Sequence, residues 1–258
     1  MRENKINKAQ ARQLLKGNFL PLLIGMSMVL LCCLAVVCAM EASGYLFDIY
    51  DSDGNVTEGK EWIYYILVFG MMTVLCFASP LFNGLLKMFA NLTVKRKTDV
   101  AEMFCYFRSA RVYFKTLLVN VVVYLSFSIT SGLTDIYNTA STLTQKDITT
   151  EGESVLFYVL FAAAFVFSEI TKILFYMIFV HYQLFGYAVD DSRGVIESTL
   201  GTVPFALKNF GKLFTLIVSF IGWFALCFFV VPAMYVAPYF ATASANSVKW
   251  LRTPRFDY

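Results

Sequence analysis

Residues 19–40 read FLPLLIGMSMVLLCCLAVVCAM, twenty-two positions without a charge. A helix of that length rises about 33 Å, enough to cross a hydrocarbon core of roughly 30 Å. Arg2, Lys5, Lys8, Arg12 and Lys16 precede it, which imitates a secretory leader. A leader's apolar region runs only about 7–15 residues, however, and Val36-Val37 before Cys38 is a poor lipoprotein signal. The stretch is expected to stay in the protein as a membrane span.

Outward from it, the pattern returns. Trp62–Phe82 is uncharged, with Trp62, Tyr64 and Tyr65 as an interfacial belt. A third span is expected over about 116–133. The stretch Val155–Val189 is interrupted only by Glu169, Lys172 and His181, and exceeds one span, so its helix projects or breaks; the span is set at 155–180. From Leu213 the chain is uncharged until Lys249, too long for one span and short for two. Pro232 suggests a tight turn that divides it into Leu213–Val231 and Ala233–Trp250, and Pro238 should kink the second piece by freeing the Met234 carbonyl. Ala233, Ala237, Ala241 and Ala245 recur every four residues and put small side chains on one face, where another helix can approach closely. The expected architecture is all-α: one integral membrane domain over residues 1–258, with six transmembrane helices in three hairpins and amphipathic cytoplasmic helices. Five spans is the alternative.

Composition agrees. Of the 258 residues, 58% are hydrophobic and 15% charged, whereas a soluble domain carries about 25% charged residues to keep its surface wet. Soluble enzymes, secreted mini-proteins and nucleic-acid binders are excluded. The charges are sorted by segment: five basic residues precede the first span, seven lie in Asn83–Lys115 and three in His181–Lys212. Glu41–Glu61 and Thr134–Ser154 hold one each, Lys60 and Lys146, and Glu41, Asp48, Asp51, Asp53, Glu58 and Glu61 fill the first. The positive-inside rule places both termini in the cytoplasm, which six spans satisfy. A weak repeat underlies this: Lys16, Lys115 and Lys212 stand at the entries of odd-numbered spans, 99 and 97 residues apart. Three hairpins, each led in by an interfacial helix, would explain the period; the general preference for lysine at inner boundaries is the competing explanation.

With these segments in place, the chain resembles an uncharacterised bacterial integral-membrane family known as domain of unknown function 975. The resemblance covers most of the chain. It rests on Ala11-Arg12 and Leu15-Lys16-Gly17-Asn18, on Gly84-Leu85 through Phe89, on Met103-Phe104 with Phe107, and on Tyr187-Ala188-Val189-Asp190. It continues in Leu207-Lys208-Asn209 with Leu213-Phe214, in Ser219-Phe220-Ile221-Gly222-Trp223 and in Pro238-Tyr239, the most specific stretches being the last two. The chain departs at Val230-Val231-Pro232, where a glycine-rich turn is expected, and at Ser247-Val248, where an aromatic pair is expected. The resemblance implies a multi-pass bacterial membrane protein and lends no activity.

Chemistry-bearing patterns are sparse. The six cysteines lie in or beside apolar stretches, none as a Cys-x-x-Cys pair, and with His181 the sole histidine there is no zinc spacing. Asp51-Ser52-Asp53-Gly54-Asn55 hints at a calcium loop, but Ile49 and Lys60 occupy the outer ligand positions, so a polar turn is expected. Asn55-Val56-Thr57 is a glycosylation sequon without meaning in a bacterium lacking that machinery. Asp190-Asp191 is read as part of a solvated turn, with magnesium binding as the alternative, and His181 as a structural or interfacial histidine rather than a general base. Ile196, Leu200, Val203, Leu207 and Phe210 step along one helix face, either lying on the inner membrane surface or packing on the protein's own spans, with Pro204 interrupting or restarting the helix. Lys95, Arg96 and Lys97 are candidate contacts for anionic lipid, or serve only to set topology. Glu169 and Lys172 form a candidate intramembrane polar pair, three residues apart on one face.

No catalytic, cofactor or metal residues are expected. The expected function is non-enzymatic: an accessory or scaffold protein of the bacterial cytoplasmic membrane, meeting lipids, other membrane proteins or copies of itself. A small solute or lipid transporter or channel is the alternative, and an intramembrane enzyme the third reading.

Overall fold

The computed structural model describes residues 2–50, 56–145 and 151–252. The calcium-like turn 51–55 with the sequon's Asn55, Lys146, and the tail 253–258 lie outside the described residues. Among the described residues the chain is helical without strands, apart from one isolated antiparallel bridge between Tyr50 and Val56.

The helices are α1 (Arg2–Leu15), α2 (Phe19–Leu46), α3 (Glu61–Lys95), α4 (Ala110–Gln145) and α5 (Glu151–Phe175). A single π turn, Tyr176–His181, joins α5 to α6 (Tyr182–Val189). There follow α7 (Val195–Ser198), α8 (Val203–Lys208), α9 (Phe210–Val218), α10 (Ile221–Ala225) and α11 (Val230–Arg252), with 3-10 segments at Val100–Phe107, Leu200–Thr202 and Leu226–Phe228. A short helical segment thus precedes each of α2, α4 and α9: α1, the 3-10 turn Val100–Phe107, and α7–α8.

Three stretches are long and apolar enough to cross a membrane: Phe19–Leu46, Glu61–Lys95 and Phe161–Val189. A fourth is added if the bent pair Phe210–Val218 and Ile221–Phe228 counts as one span. The expected span Leu213–Val231 is therefore not one straight helix. It bends by 43° between α9 and α10 and ends in a 3-10 turn. The division from the last helix also lies earlier than expected. Phe229 is extended and α11 starts at Val230, so Pro232 falls in the helix's first turn, where its missing N–H costs no intrahelical bond. Pro204 likewise restarts a helix, at the second position of α8.

The core sits at one end of the molecule. The first half of α3 exposes Tyr65, Ile66 and Phe69, whereas its second half buries Leu85, Leu86, Met88, Phe89 and Leu92. Gly84 explains the close approach there: a Cβ on it would run into the Met103 carbonyl of the 3-10 segment. On α1, Asn7, Ala11 and Leu15 are buried at four-residue spacing, one face of the helix, and α1 packs on α11. From Thr242 to Val248 α11 is buried all round, mostly by small residues that let its neighbours come near. At the other end the structure is aromatic: the Tyr45 and Tyr50 rings meet tilted at 5.5 Å, and Tyr50 and Tyr64 meet edge-on at 6.4 Å, joining the expected belt. Lys60 Nζ ties that end by donating to the carbonyls of Phe47 and Asp48.

Candidate functional site

The densest polar arrangement lies where α1 crosses the ends of α3 and α11. Gly17, with φ of +85°, turns the chain between α1 and α2 in a conformation that favours glycine. Asn18 then acts as a buried junction. Its amide donates to the carbonyls of Leu14 and Arg96, and its oxygen accepts from the Thr98 N–H. Arg96 itself closes α3 in the left-handed conformation at φ 59°. Lys249 Nζ donates to the Thr93 carbonyl at 2.7 Å, and Asn246 donates to Asn7 and Gln10. These bonds bring the start of α2, the end of α3 and the end of α11 to the same end of the molecule. Between them is a cavity of about 500 Å³, whose charged lining among the described residues consists of Lys16, Arg96 and Lys249.

Beside it, α1 is locked to the α9–α10 bend and α11 by cations on rings. Lys8 Nζ lies 4.6 Å from the Phe220 centroid and donates to the Ser219 carbonyl at the end of α9. Arg12 lies over both Trp223 and Tyr239 and donates to the Tyr239 hydroxyl at 3.1 Å. Burial first, and the nearby Arg12 second, pull Lys8 below the usual lysine range. Phe220, Trp223 and Tyr239 come from the stretches most specific to the resemblance, and Arg12 from another stretch that carries it; they are in contact although up to 227 residues apart. The signal in the sequence was the pairing of an isolated cation-bearing polar helix with aromatics at the edges of apolar runs, but spacing alone does not say which ring meets which cation.

Of the candidates read from the sequence, Lys95 pairs with Glu102 at 3.2 Å, Arg96 turns into the cavity lining, and Lys97 stays exposed. The three-residue run thus divides among separate environments. Glu169 and Lys172 do meet, at 2.6 Å, on a partly exposed face of α5. The alanine ladder also divides: Ala245 is fully buried, Ala241 packs against the core, and Ala237 is exposed. The stepped apolar face beyond Asp190 divides: Ile196, Leu200 and Leu207 are exposed, Val203 is half-buried, and Phe210 packs against the core, while Ser198, Thr199, Thr202 and Ala206 are buried. Asp190 and Asp191 take different partners. Asp190 holds Ser192 and Arg193, whose hydrogen bonds, Ser192's first, draw its carboxyl down to about 2. Asp191 pairs with Lys87 at 3.1 Å and accepts from Lys115 at its carbonyl.

Of the polar interior, sequence reading singled out only His181 and missed Gln183, Asn83, Asn120 and Thr116. His181, at the end of the π turn, is fully buried, with both ring nitrogens unpartnered among the described residues, and the Gln183 amide is in the same state. Asn120 on α4 bonds Asn83 and Ser79 on α3, and Thr116 bonds the Tyr187 hydroxyl at 2.8 Å. Among the described residues no three His, Cys, Asp or Glu side chains gather as a metal site. Compared with family models, curated proteins and solved structures, the chain matches none of them.

Proposed function

We propose that the chain is an integral protein of the bacterial cytoplasmic membrane that works without catalysis, as an accessory or scaffold contacting lipids or other membrane proteins. In this reading six segments cross the membrane in three hairpins, with both termini cytoplasmic, and the chain belongs with the uncharacterised family it resembles. The observation that carries the reading is where bulk is buried. Tyr182, Tyr239, Met88, Leu92, Phe220 and Leu213, each no more than 2% exposed, fill the region where α3, α6, α9 and α11 meet. A packed junction of this kind suits a scaffold, whose helices hold one arrangement. The apolar residues instead left outside, such as Phe69 at 75% and Phe167 at 72% exposed, would find lipid contact favourable and water costly.

A second reading, a small transporter or channel, draws on one observation: the buried, unpartnered His181 and Gln183 beside a π turn. Single π turns are frequent at functional sites, and unsatisfied buried groups call for water or a ligand. The test is purification of the full chain from native membranes with identification of the lipids and proteins that remain bound, beside substrate-uptake assays in proteoliposomes. A stoichiometric membrane-protein companion with no uptake supports the scaffold. Uptake that His181→Phe abolishes in folded protein overturns it.

A further inference from the structure

We propose that the seam among α3, α4 and α6 is a blind inlet that takes up water from the end of the molecule where Lys87 meets Asp191. Three helix faces make it, each polar at four-residue spacing. They are Ser79, Asn83 and Lys87 on α3, Thr116 and Asn120 on α4, and Gln183 and Tyr187 on α6, with Asp191 just beyond. The faces meet turn by turn. Lys87 and Asp191 pair at 3.1 Å, and Thr116 bonds the Tyr187 hydroxyl at 2.8 Å. One turn further along α4, Asn120 accepts from the Asn83 amide and donates to the Ser79 hydroxyl. Gln183 stands one turn further along α6, four residues from Tyr187.

Polar residues that only hold helices together satisfy one another, as Asn120 and Thr116 do with their partners. Gln183 does not. It is fully buried, and neither its amide nitrogen nor its oxygen has a hydrogen-bond partner among the described residues. The Asn83 oxygen is in the same state. Buried groups of this kind are costly unless water reaches them. These groups are uncharged and of both kinds, donor and acceptor, a pattern that water satisfies and a bare cation or anion does not. Pro80 continues the polar lining into the backbone of α3. It offers no N–H to the Cys76 carbonyl, which accepts from the Ser79 hydroxyl at 2.6 Å instead, while the Phe77 carbonyl accepts from Tyr113 of α4 at 2.8 Å.

The path has a mouth and a floor. At the mouth the Tyr106 ring stacks on Tyr187 at 5.6 Å, and Lys115 Nζ donates to the Asp191 carbonyl at 2.6 Å. The side chain of Lys87 is 17% exposed and that of Asp191 41%, so their pair stands between solvent and the interior of the seam. The floor is apolar: Val123 and Val180, three residues beyond Asn120 and three before Gln183, are buried in one cluster with Val119. The inlet rests on neither reading of the function, since a scaffold and a transporter could hold it equally well, and uptake is not its readout.

The test uses the full chain in uncharged detergent, with the six native cysteines replaced by alanine. Gln183→Cys is treated with a small water-soluble methanethiosulfonate, and its rate is compared with that of Leu216→Cys, a position equally buried but in the apolar junction. Gln183 gives up no hydrogen bond among the described residues, and melting checks that each variant folds. Leu216→Cys reacts only through local unfolding, so Gln183→Cys should be at least about tenfold faster. Lys87→Met, which removes one side of the mouth, should speed Gln183→Cys about threefold and leave Leu216→Cys as it was. Asn83→Cys makes the same comparison from α3, with the same outcomes. Equal rates at the seam and at Leu216 would overturn the inlet. A fast Gln183→Cys indifferent to Lys87→Met would overturn it too, because the water would then arrive by another way.

Discussion

Lys8 Nζ donates to the backbone carbonyl of Ser219, 2.7 Å away and 211 residues along the chain. Ser219 closes α9, so the ammonium meets the negative end of that helix at the point where the next one bends away. The same side chain covers the Phe220 ring. One lysine on a polar helix thereby fixes both the position of α1 and the place where a broken apolar segment turns. Lys8→Met keeps the packing and removes the charge and the donor. It should lower stability by about 1–2 kcal/mol and make α1 more sensitive to protease, measured by limited digestion and melting in detergent.

Gly84 in α3 touches the Met103 carbonyl so closely that no side chain fits between them. The obstacle is backbone, which does not move aside as a flexible side chain would. Gly84→Ala should therefore cost about 3 kcal/mol or more, lowering the yield of folded protein. Gly70→Ala, in the same helix with open space around it, should be neutral or slightly stabilising and serves as the comparison.

Glu169 and Lys172 form a pair at 2.6 Å on α5. Removing one partner leaves a lone cation on an apolar helix, whose cost near the centre of a bilayer is about 2.5 kcal/mol or more and nearer 1 kcal/mol at the headgroups. Glu169→Gln should thus lower the melting temperature, and adding Lys172→Met should restore it. Retained stability in the single variant would mean that the pair is held in water. Loss of a transport activity in a well-folded Glu169→Gln protein would instead favour the second reading.

Asp190 accepts hydrogen bonds from Ser192 and Arg193, which draw its carboxyl from 3.8 down to about 2. Its folded form binds a proton less readily than the unfolded chain. The stabilisation is therefore complete above about pH 4 and is lost as the pH falls through about 2. With the pair partly open to solvent, its size is about 1 kcal/mol. Asp190→Asn should flatten the acid limb of the melting temperature in that window and leave the neutral region lower by the lost turn contacts.

Thr57 and Lys97 flank the 35-residue helix α3, about 52 Å end to end. In a background with the six native cysteines replaced, Thr57→Cys should react with an impermeant thiol reagent in intact cells. Lys97→Cys should react only after the cells are opened. The reverse pattern would invert the proposed orientation, and labelling of both would remove α3 as a span.

The sequence alone determined those features that rest on local chemistry. Long uncharged runs favour helix, and α2, α3, α4 and α11 cover the expected segments at 19–40, 62–82, 116–133 and 233–250, while 155–180 is α5 as far as Phe175 and then the π turn. Of these, α4 and α11 are not among the helices long and apolar enough to cross a membrane. The Glu169–Lys172 contact was legible for the same reason, since three residues along a helix always share a face. Local rules also misled where two of them competed. Pro232 was read as a breaker, yet a proline in a first turn starts a helix, and the break fell at Phe229. The alanine ladder does not coincide with one covered face of α11: Ala245 is buried and Ala241 packs against the core, but Ala237 is exposed between the buried Val236 and Pro238, and residues 242–248 are buried all round. The tertiary structure alone decided the meetings between distant segments. Lys16, Arg96 and Lys249 share a cavity, and Arg12 rests on Trp223 and Tyr239, because α1 folds back across the ends of two long helices. That crossing depends on a left-handed glycine, a buried asparagine and the fit of small side chains over many turns, none of which has a period a sequence displays.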